Sequence, residues 1–346
     1  MRRMSRMSRV VRGAGEGRSA QQDGGVTHLR PMDRREWLAC AAALASSGSW
    51  AQSPAQPPAQ SGAQSPGAQS PAAQTSAAQT PVAPRRIVSV GGALTETLYA
   101  LGAQADLVGV DTTSLYPESA RALPSVGYAR SLSAEGVLSL RPTLVVASED
   151  AGPPAVLRQL EAARVPLVVL DGDHRFEGVL SRTRRLAELS GRVDAGAVLT
   201  DRLQHEWQAT RERVGALTAA GKSAPRVLVV LSHSIGQVRV AGRDTGADAM
   251  VRYAGGVNVF GEAFTGYKPL TPEAAIAAAP DVILGTDQGL LAAGGIDGLL
   301  RLPGLAQTPA GRARRVVSLE ALLLIGFGPR LPQAVGTLAD GLHAKA

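Results

Sequence analysis

Two tyrosines with basic neighbours are the side chains here whose types and spacing suggest chemistry. Tyr128 is followed two positions later by Arg130, and Tyr267 is followed directly by Lys268. An ionised phenol is a hard anionic oxygen donor, but its ordinary pKa of about 10 means that ionisation near neutrality needs a nearby positive charge. If the segment after Tyr128 is extended, Arg130 points to the same side and supplies that charge. Taken alone, the spacing favours a surface tyrosine beside a solvated arginine.

Both tyrosines begin a stretch that occurs twice in the chain. The first copy, GYARSLSAEGVLSLRPTLVVA, runs from Gly127 to Ala147, and the second, GYKPLTPEAAIAAAPDVILG, runs from Gly266 to Gly285. Each copy predicts a capped short helix, a proline that ends it and a buried strand. Four matches are separated by 138 residues: Leu132 and Leu270, Glu135 and Glu273, Pro142 and Pro280, and Val145-Val146 and Ile283-Leu284. Two distant copies predict a duplicated lobe, with a site between the lobes.

Short apolar segments alternate with helical segments on both sides of a long charged helical stretch. Alternation of this kind predicts parallel α/β lobes, which bind ligands at the carboxyl ends of their strands. No strand pattern occurs from Phe176 to about Ala220. We therefore expect an α/β protein with two similar Rossmann-like lobes with parallel sheets, at residues 85–190 and 222–346. One long α-helix within residues 191–221 would join them, with the ligand cleft between the lobes.

The N-terminal region has the features of an export signal. Arg34 and Arg35 precede a short apolar run from Trp37 to Ala45, and Ala51 ends a small-x-small cleavage pattern. Residues 1–51 are thus predicted to be a leader with a signal peptide cleaved near Ala51. Met32 is an alternative start of the protein, and both general and twin-arginine export remain open.

Residues 52–84 consist of Ala, Gln, Ser and Pro repeats without charge or large apolar side chains, apart from a few residues near their end. Such a segment buries too little surface to offset the entropy of ordering, so it predicts a disordered tether. Without the first 51 residues, the chain keeps 27 basic and 25 acidic residues, and the formal charge falls from +7 to +2. The basic charge is therefore no argument for binding nucleic acid.

Three motifs resemble those of one group of exported proteins. They are VGYARSLSAEGVLSLRPTLVVASEDAGPP, VAGRDTGADAMVRYAGG, and GYKPLTPEAAIAAAPDVIL with the late LLLIGFGPR. With the predicted lobes, long helix and signal peptide, they make the chain similar to the periplasmic haem (haemin)-binding proteins of bacterial haem ABC importers. The resemblance covers roughly residue 85 to the C-terminus. It implies a substrate-binding protein of the single-helix-linked class that acts in the periplasm and is not an enzyme.

The resemblance implies that Tyr128 is the axial iron ligand of ferric haem, which is the transported ligand. A phenolate oxygen suits Fe(III), and tyrosine ligates haem in other folds. Arg130 would support this ligand. The further residues assigned to haem binding by position are His233, Arg243, Tyr267, Lys268 and, as an additional candidate, Arg330. Cations are expected there because haem carries two propionates, although any of these side chains could equally be an ordinary surface residue.

Two glutamates are assigned a different role. Glu135 and Glu273 lie in the first turn of the two repeated helices, where negative charge stabilises the helix dipole. In the class that the chain resembles, such glutamates dock onto arginines of the two permease subunits, and both roles can hold together. The implied partners are haem and an ABC permease dimer with its ATPase. The resemblance further implies a monomer that meets the membrane only through the permease and binds no nucleic acid.

Other functions remain open at this stage. A protein of the same class could bind a ferric siderophore or cobalamin, and an exported α/β enzyme is an alternative from another class. Neither a GxSxG elbow nor an HExxH motif occurs in the sequence. The four histidines outside the leader are scattered, which argues against a zinc or manganese site.

Overall fold

The computed structural model of the protein describes residues 85–219, 223–232 and 238–344. The predicted leader (1–51) and tether (52–84) lie outside these ranges. The strands are β1 Ile87–Val90, β2 Leu107–Val110, β3 Gly127–Tyr128, β4 Ser131–Leu132, β5 Leu144–Ser148, β6 Leu167–Leu170, β7 Arg226–Ser232, β8 Val238–Ala241, β9 Val257–Asn258, β10 Tyr267–Pro269, β11 Val282–Thr286 and β12 Val316–Leu319. The α-helices are α1 Gly92–Ala100, α2 Ala134–Ser139, α3 Pro154–Ala162, α4 Phe176–Ser190, α5 Val193–Thr218, α6 Gly246–Tyr253, α7 Pro272–Ala278, α8 Asp287–Ala293, α9 Gly295–Leu300, α10 Pro309–Arg312, α11 Ala321–Ile325 and α12 Leu331–His343.

The N-terminal lobe, residues 85–190, contains a parallel sheet with the strand order β2-β1-β5-β6. The central strands are apolar without alternation because helices or loops cover both of their faces. Val88 and Val145 pack into one core cluster, whereas Ile87 and Val146 pack into another on the opposite face. The carboxyl ends of these strands form one edge of the sheet.

The C-terminal lobe, residues 223–344 as described, has a mixed sheet with the order β10-β8-β7-β11-β12, and β9 also pairs with β7. Strands β7, β9, β11 and β12 are mutually parallel, but β8 and β10 are antiparallel to their neighbours. The predicted α/β class is confirmed. The expectation of a parallel sheet holds in the first lobe and is incomplete in the second. Only residues 233–237 join β7 to β8, too few for the crossover that a parallel pair requires.

The duplication extends to individual hydrogen bonds. At the start of β1, the Arg86 guanidinium donates to the carbonyl oxygen of Leu140 at 2.7 Å. At the start of β7, the Arg226 guanidinium donates to the carbonyl oxygen of Ala278 at 2.8 Å. The two acceptors end the repeated helices α2 and α7 and are 138 residues apart, the separation found in the sequence. The lobes therefore share one plan for their strand-to-helix packing.

Two long helices lie between the two sheets in the chain. Helix α4 ends where Gly191 adopts a left-handed conformation, with φ 67°, and α5 then continues for 26 residues. The Trp207 ring of α5 stacks on Phe176 with ring centroids 4.8 Å apart and meets the Tyr253 ring edge-on at the same distance. Because Phe176 and Tyr253 belong to opposite lobes, α5 is packed against both. No helix in the described ranges is long and apolar enough to cross a membrane.

A buried ion pair joins the lobes on one side. The Glu96 carboxylate of α1 accepts from Arg330 Nε at 2.9 Å and from Nη2 at 2.8 Å. The Glu96 side chain is 5 % exposed and that of Arg330 is 19 % exposed, and the Tyr116 ring centroid lies 3.6 Å from the guanidinium carbon. We call this arrangement the Glu96–Arg330 clasp. Arg330, considered above as a haem-binding cation, is thus engaged in contacts between the lobes.

Candidate functional site between the lobes

Tyr128 stands in a two-strand hairpin above the N-terminal sheet. Strands β3 and β4 pair antiparallel, with Tyr128 opposite Ser131, so Ala129 and Arg130 form the turn. Gly127 begins the hairpin with φ 93°, a conformation that favours glycine. The Tyr128 side chain is 46 % exposed. The segment is therefore not extended, but its phenol is accessible to a ligand.

The hairpin is held firmly although its tyrosine is exposed. Gly152 N–H donates to the carbonyl oxygen of Ala129, and Leu132 N–H donates to the carbonyl oxygen of Gly152, both at 2.9 Å. Ala129 and Leu132 are buried in the N-terminal core. Thr112 N–H also donates to the Gly127 carbonyl oxygen. The hairpin is thus fixed to loops that follow β2 and β5, at the carboxyl edge of the sheet.

Arg130 is oriented by a carboxylate that follows β5. Its Nε and Nη2 both donate to Asp150 Oδ2, at 2.9 and 2.6 Å, and Ser148 Oγ donates to Asp150 Oδ1 at 2.6 Å. Burial lowers the pKa of Arg130, but the hydrogen bonds and charge of Asp150 outweigh burial and raise it. The Tyr128 and Tyr267 phenols also raise this pKa, which places the guanidinium within electrostatic reach of both rings.

Tyr267 lies in the second lobe in a different setting. It is part of β10, pairs with Ala241 of β8 and is half-buried against the core. Burial raises the pKa of its phenol, opposed by hydrogen bonding to Thr245, by the charge of Arg130 and by the backbone of Ala247. Thr245 is the N-cap of α6. Tyr267 and Arg130, which belong to opposite lobes, therefore lie within electrostatic reach of each other.

Arg243 and Lys268 contact residues of their own lobe. Arg243 Nε lies 3.9 Å from Asp244 Oδ2, and the side chain is half-exposed. Lys268 Nζ lies 5.1 Å from the centroid of the Phe264 ring. Within the described ranges neither side chain forms a hydrogen bond or ion pair with the Tyr128 hairpin. Their assignment to haem binding stays a prediction.

His233 lies outside the described residues. Its flanks are known: β7 ends at Ser232 and pairs antiparallel with β8, which begins at Val238. The expected loop between a strand and a helix is therefore a connection between two antiparallel strands. The proposed role of His233 stays a prediction.

A cavity of about 490 Å³ opens between the lobes, and its wall, as described, does not include Tyr128, Arg130 or Tyr267. His174, which follows β6, lies on its wall, and its ring meets the Phe327 ring of the other lobe edge-on at 5.1 Å. Burial lowers the pKa of His174, which favours the neutral imidazole. The charged residues on the cavity wall are Glu149, Asp171, Asp173, Arg175, Asp244 and Arg252. Within the described ranges, no group of three or more His, Cys, Asp or Glu side chains is arranged to hold a metal ion.

The two repeated glutamates occupy equivalent exposed places. Ser133 accepts a hydrogen bond from Gly136 N–H at the start of α2, and Thr271 accepts one from Ala274 N–H at the start of α7. Glu135 lies in the first turn of α2 and Glu273 in that of α7. Both side chains are exposed, and neither forms an ion pair within the described ranges. Both are accessible to solvent, and their docking role stays a prediction.

Sequence reasoning missed Asp150 and Thr245. Asp150 stands two residues beyond β5 and Thr245 stands at the N-cap of α6, and each contacts a residue that the sequence did single out. The available signal for Asp150 was its place just after a buried parallel strand, where ligand sites of α/β lobes lie.

Comparisons with known proteins agree with this architecture. The family model described as "Periplasmic binding protein" matches residues 87–322. The structure of the periplasmic heme-binding protein BhuT in complex with two hemes is 52 % identical, with a TM-score of 0.71 over 75 % of this chain and 98 % of that chain. The periplasmic heme-binding protein RhuT from Roseiflexus sp. RS-1 in apo form is 42 % identical, with the same TM-score and coverage.

A curated relative has another ligand in its name. The vitamin B12-binding protein of Yersinia pestis (strain Pestoides F) is 26 % identical over 202 residues, 58 % of this chain and 69 % of that protein. The resemblance to haem-binding proteins of ABC importers is nevertheless confirmed by the more similar structures. The chain belongs to the periplasmic binding protein family.

Proposed function

We propose that this protein captures ferric haem in the periplasm through Tyr128 and delivers it to an ABC permease. The observation that carries the proposal is the accessible Tyr128 phenol, held on a fixed hairpin with Arg130 beside it and Tyr267 across the cleft. The higher identity to heme-binding structures than to a vitamin B12-binding protein supports haem as the ligand.

The chemistry of this cluster fits a ferric porphyrin. A phenolate is a hard anionic ligand for Fe(III), and the guanidinium of Arg130 favours the ionised phenol. Arg130 keeps N–H groups beyond those bound to Asp150, and Arg243 and Lys268 expose further positive charge on the second lobe. These cations suit the haem propionates, since carboxylates bind guanidinium groups strongly.

Delivery involves the outer surfaces of both lobes. Glu135 and Glu273 are the exposed, repeat-related charges that would meet one arginine on each subunit of a permease dimer, with an ATPase driving transport. The protein acts as a monomer that reaches the membrane through this complex. Its role is binding and transfer, without catalysis.

A visible absorption titration of the purified protein with haemin tests the proposal. We expect a shifted Soret band and the high-spin charge-transfer feature of tyrosine-ligated ferric haem. A spectrum that stays that of unbound haemin at protein excess would contradict it.

Cobalamin is the second candidate ligand, because a curated relative is a vitamin B12-binding protein. The same titration discriminates between the candidates when cyanocobalamin is added as a competitor. Haem binding predicts that cobalamin neither binds nor displaces haemin at equal concentration. Binding of cobalamin without binding of haemin would support the second candidate.

A further inference from the structure

Asp150 forms a short chain of polar contacts that ends at Arg130. Ser148 Oγ donates to Asp150 Oδ1, and Asp150 Oδ2 accepts both Nε and Nη2 of Arg130. This series of contacts begins above the central strands of the sheet. A Cβ atom placed on Gly91, which follows β1, would lie 3.1 Å from Ser148 Oγ. Burial raises the pKa of Asp150, but the hydrogen bonds from Ser148 and Arg130 outweigh burial and hold it below its ordinary value. The carboxylate is therefore ionised when it binds Arg130.

The second copy of the repeat lacks this arrangement. By the separation of 138 residues, Ser148 corresponds to Thr286 and Asp150 corresponds to Gln288. Thr286 Oγ1 caps α8 by accepting from Gly289 N–H, and Gln288 Oε1 accepts from the backbone of α11. The shared fold of the two lobes thus does not require the Asp150 contacts. They occur only in the copy whose tyrosine is exposed on a hairpin.

We propose that Asp150 is a positioning residue for ligand binding. It holds the Nε–Nη2 edge of Arg130 and leaves the remaining guanidinium N–H groups available to the Tyr128 phenolate and to a carboxylate of the ligand. Arginine has a flexible side chain, and an exposed one ordered in advance loses less entropy when the ligand binds. This proposal rests on the proposed function, because it assumes that Tyr128 and Arg130 form the ligand site.

Charged and titratable groups surround Arg130 from three parts of the fold. Asp150 faces it from the loop after β5, Tyr128 from its own hairpin and Tyr267 from β10 of the other lobe. His174, after β6, lies within electrostatic reach of Asp150. Asp150 is the group in direct hydrogen-bond contact with the guanidinium, so it is the residue whose removal releases Arg130.

The test compares haemin affinity and the charge-transfer band in Asp150→Ala, Asp150→Asn, Arg130→Ala and the Arg130→Ala/Asp150→Ala double variant. We expect Asp150→Ala to weaken affinity about two- to fivefold, the range for one exposed ion pair, and to move the band in the same direction as Arg130→Ala. Asp150→Asn keeps an oxygen acceptor and should show less than half of both effects. In the Arg130→Ala background, Asp150→Ala should have no further effect, because a residue that acts through Arg130 is silent without it.

Asp340→Ala is the matched control. Asp340 pairs with Arg213 between α5 and α12, and side-chain exposures of 47 % and 57 % match the 45 % and 61 % of Asp150 and Arg130. This variant should lose comparable thermal stability and keep the band and affinity of the wild type. Equal effects of Asp150→Ala with and without Arg130, or a wild-type band in Asp150→Ala, would overturn the proposal. A wild-type band in Tyr128→Phe would instead overturn the ligand assignment, and the role of Asp150 with it.

Discussion

The two copies of the repeat place their tyrosines in opposite environments. Tyr128 belongs to a hairpin and is half-exposed, whereas Tyr267 belongs to a strand within a larger sheet and is half-buried against the core. We attribute this difference to the segment between the tyrosine and the following leucine, which is one residue longer in the first copy. Three residues separate Tyr128 from Leu132, but two separate Tyr267 from Leu270. The extra residue allows a two-residue turn, so the first copy folds back on itself instead of pairing with a neighbouring strand.

This contrast shows that one sequence pattern gives two different local structures in the two lobes. In both copies the segment after the tyrosine leads into a capped helix with an exposed glutamate. In the first copy the phenol is exposed and accessible to a ligand. In the second copy the phenol is half-buried, within electrostatic reach of Arg130.

The largest expected effect is that of Tyr128→Phe. The substitution removes an exposed oxygen and little packing, so thermal stability should stay within about 0.5 kcal/mol of wild type. The iron would lose its anionic ligand, and we expect the charge-transfer band to disappear and haemin affinity to fall roughly tenfold or more. Residual binding of the porphyrin ring is compatible with this result. If Tyr128→Phe keeps the wild-type spectrum and Tyr267→Phe loses it, the assignment of the iron ligand to the first copy is wrong.

A second test treats both copies alike. Glu135→Lys combined with Glu273→Lys should abolish growth on haem as the sole iron source and leave haemin binding intact, because two like-charge contacts would then oppose docking. Each single change should cost much less, since one exposed ion pair contributes little. Normal growth of the double variant would rule out the docking role.

A smaller effect is expected from Arg130→Ala. The phenol oxygen remains, but a positive charge beside the phenolate is lost, so the tyrosine-ligated spectrum should develop at a higher pH than in the wild type. Loss of Arg130 also removes the charge that opposes the effect of burial on Tyr267, so the pKa of Tyr267 should rise further. A pH titration of haemin-loaded protein checks the sign, and a shift to lower pH would contradict it.

The smallest spectral effect is expected from Tyr267→Phe. This change should leave the charge-transfer band nearly as in the wild type. It should, however, lower the free energy of unfolding by about 1 kcal/mol, more than Tyr128→Phe does, because the Tyr267 side chain is half-buried against the core and that of Tyr128 is exposed. Thermal melts and spectra of Tyr128→Phe and Tyr267→Phe, measured side by side, should thus show opposite profiles. Equal profiles would mean that the two environments do not differ in function.

Much of the fold was predictable because it depends on local signals. The buried strands, the long helix α5, and the caps Ser133 and Thr271 are all encoded by periodicity or by single polar residues next to apolar runs. The fold class and the duplication followed from these features.

Three parts of the structure were not predictable from local signals. The turn after Tyr128 consists of Ala129 and Arg130, and neither residue type marks a turn. The partner of Arg130 is Asp150, twenty residues away, and tertiary contacts, namely the pairing of β5 with β1 and the hydrogen bonds of the hairpin to Gly152, bring the two together. Likewise, the antiparallel strands β8 and β10 depend on pairing across the sheet, which a short apolar run does not specify.

The Glu96–Arg330 clasp has a mechanical consequence. Movement that separates the lobes on this side must break a nearly buried, doubly hydrogen-bonded ion pair. The ion pair therefore opposes separation of the lobes on this side. A transport partner that binds one exposed glutamate on each lobe would act against this ion pair when the lobes separate. The rate of haem release from a Glu96→Gln variant, compared with that of the wild type, would measure how strongly the pair opposes separation.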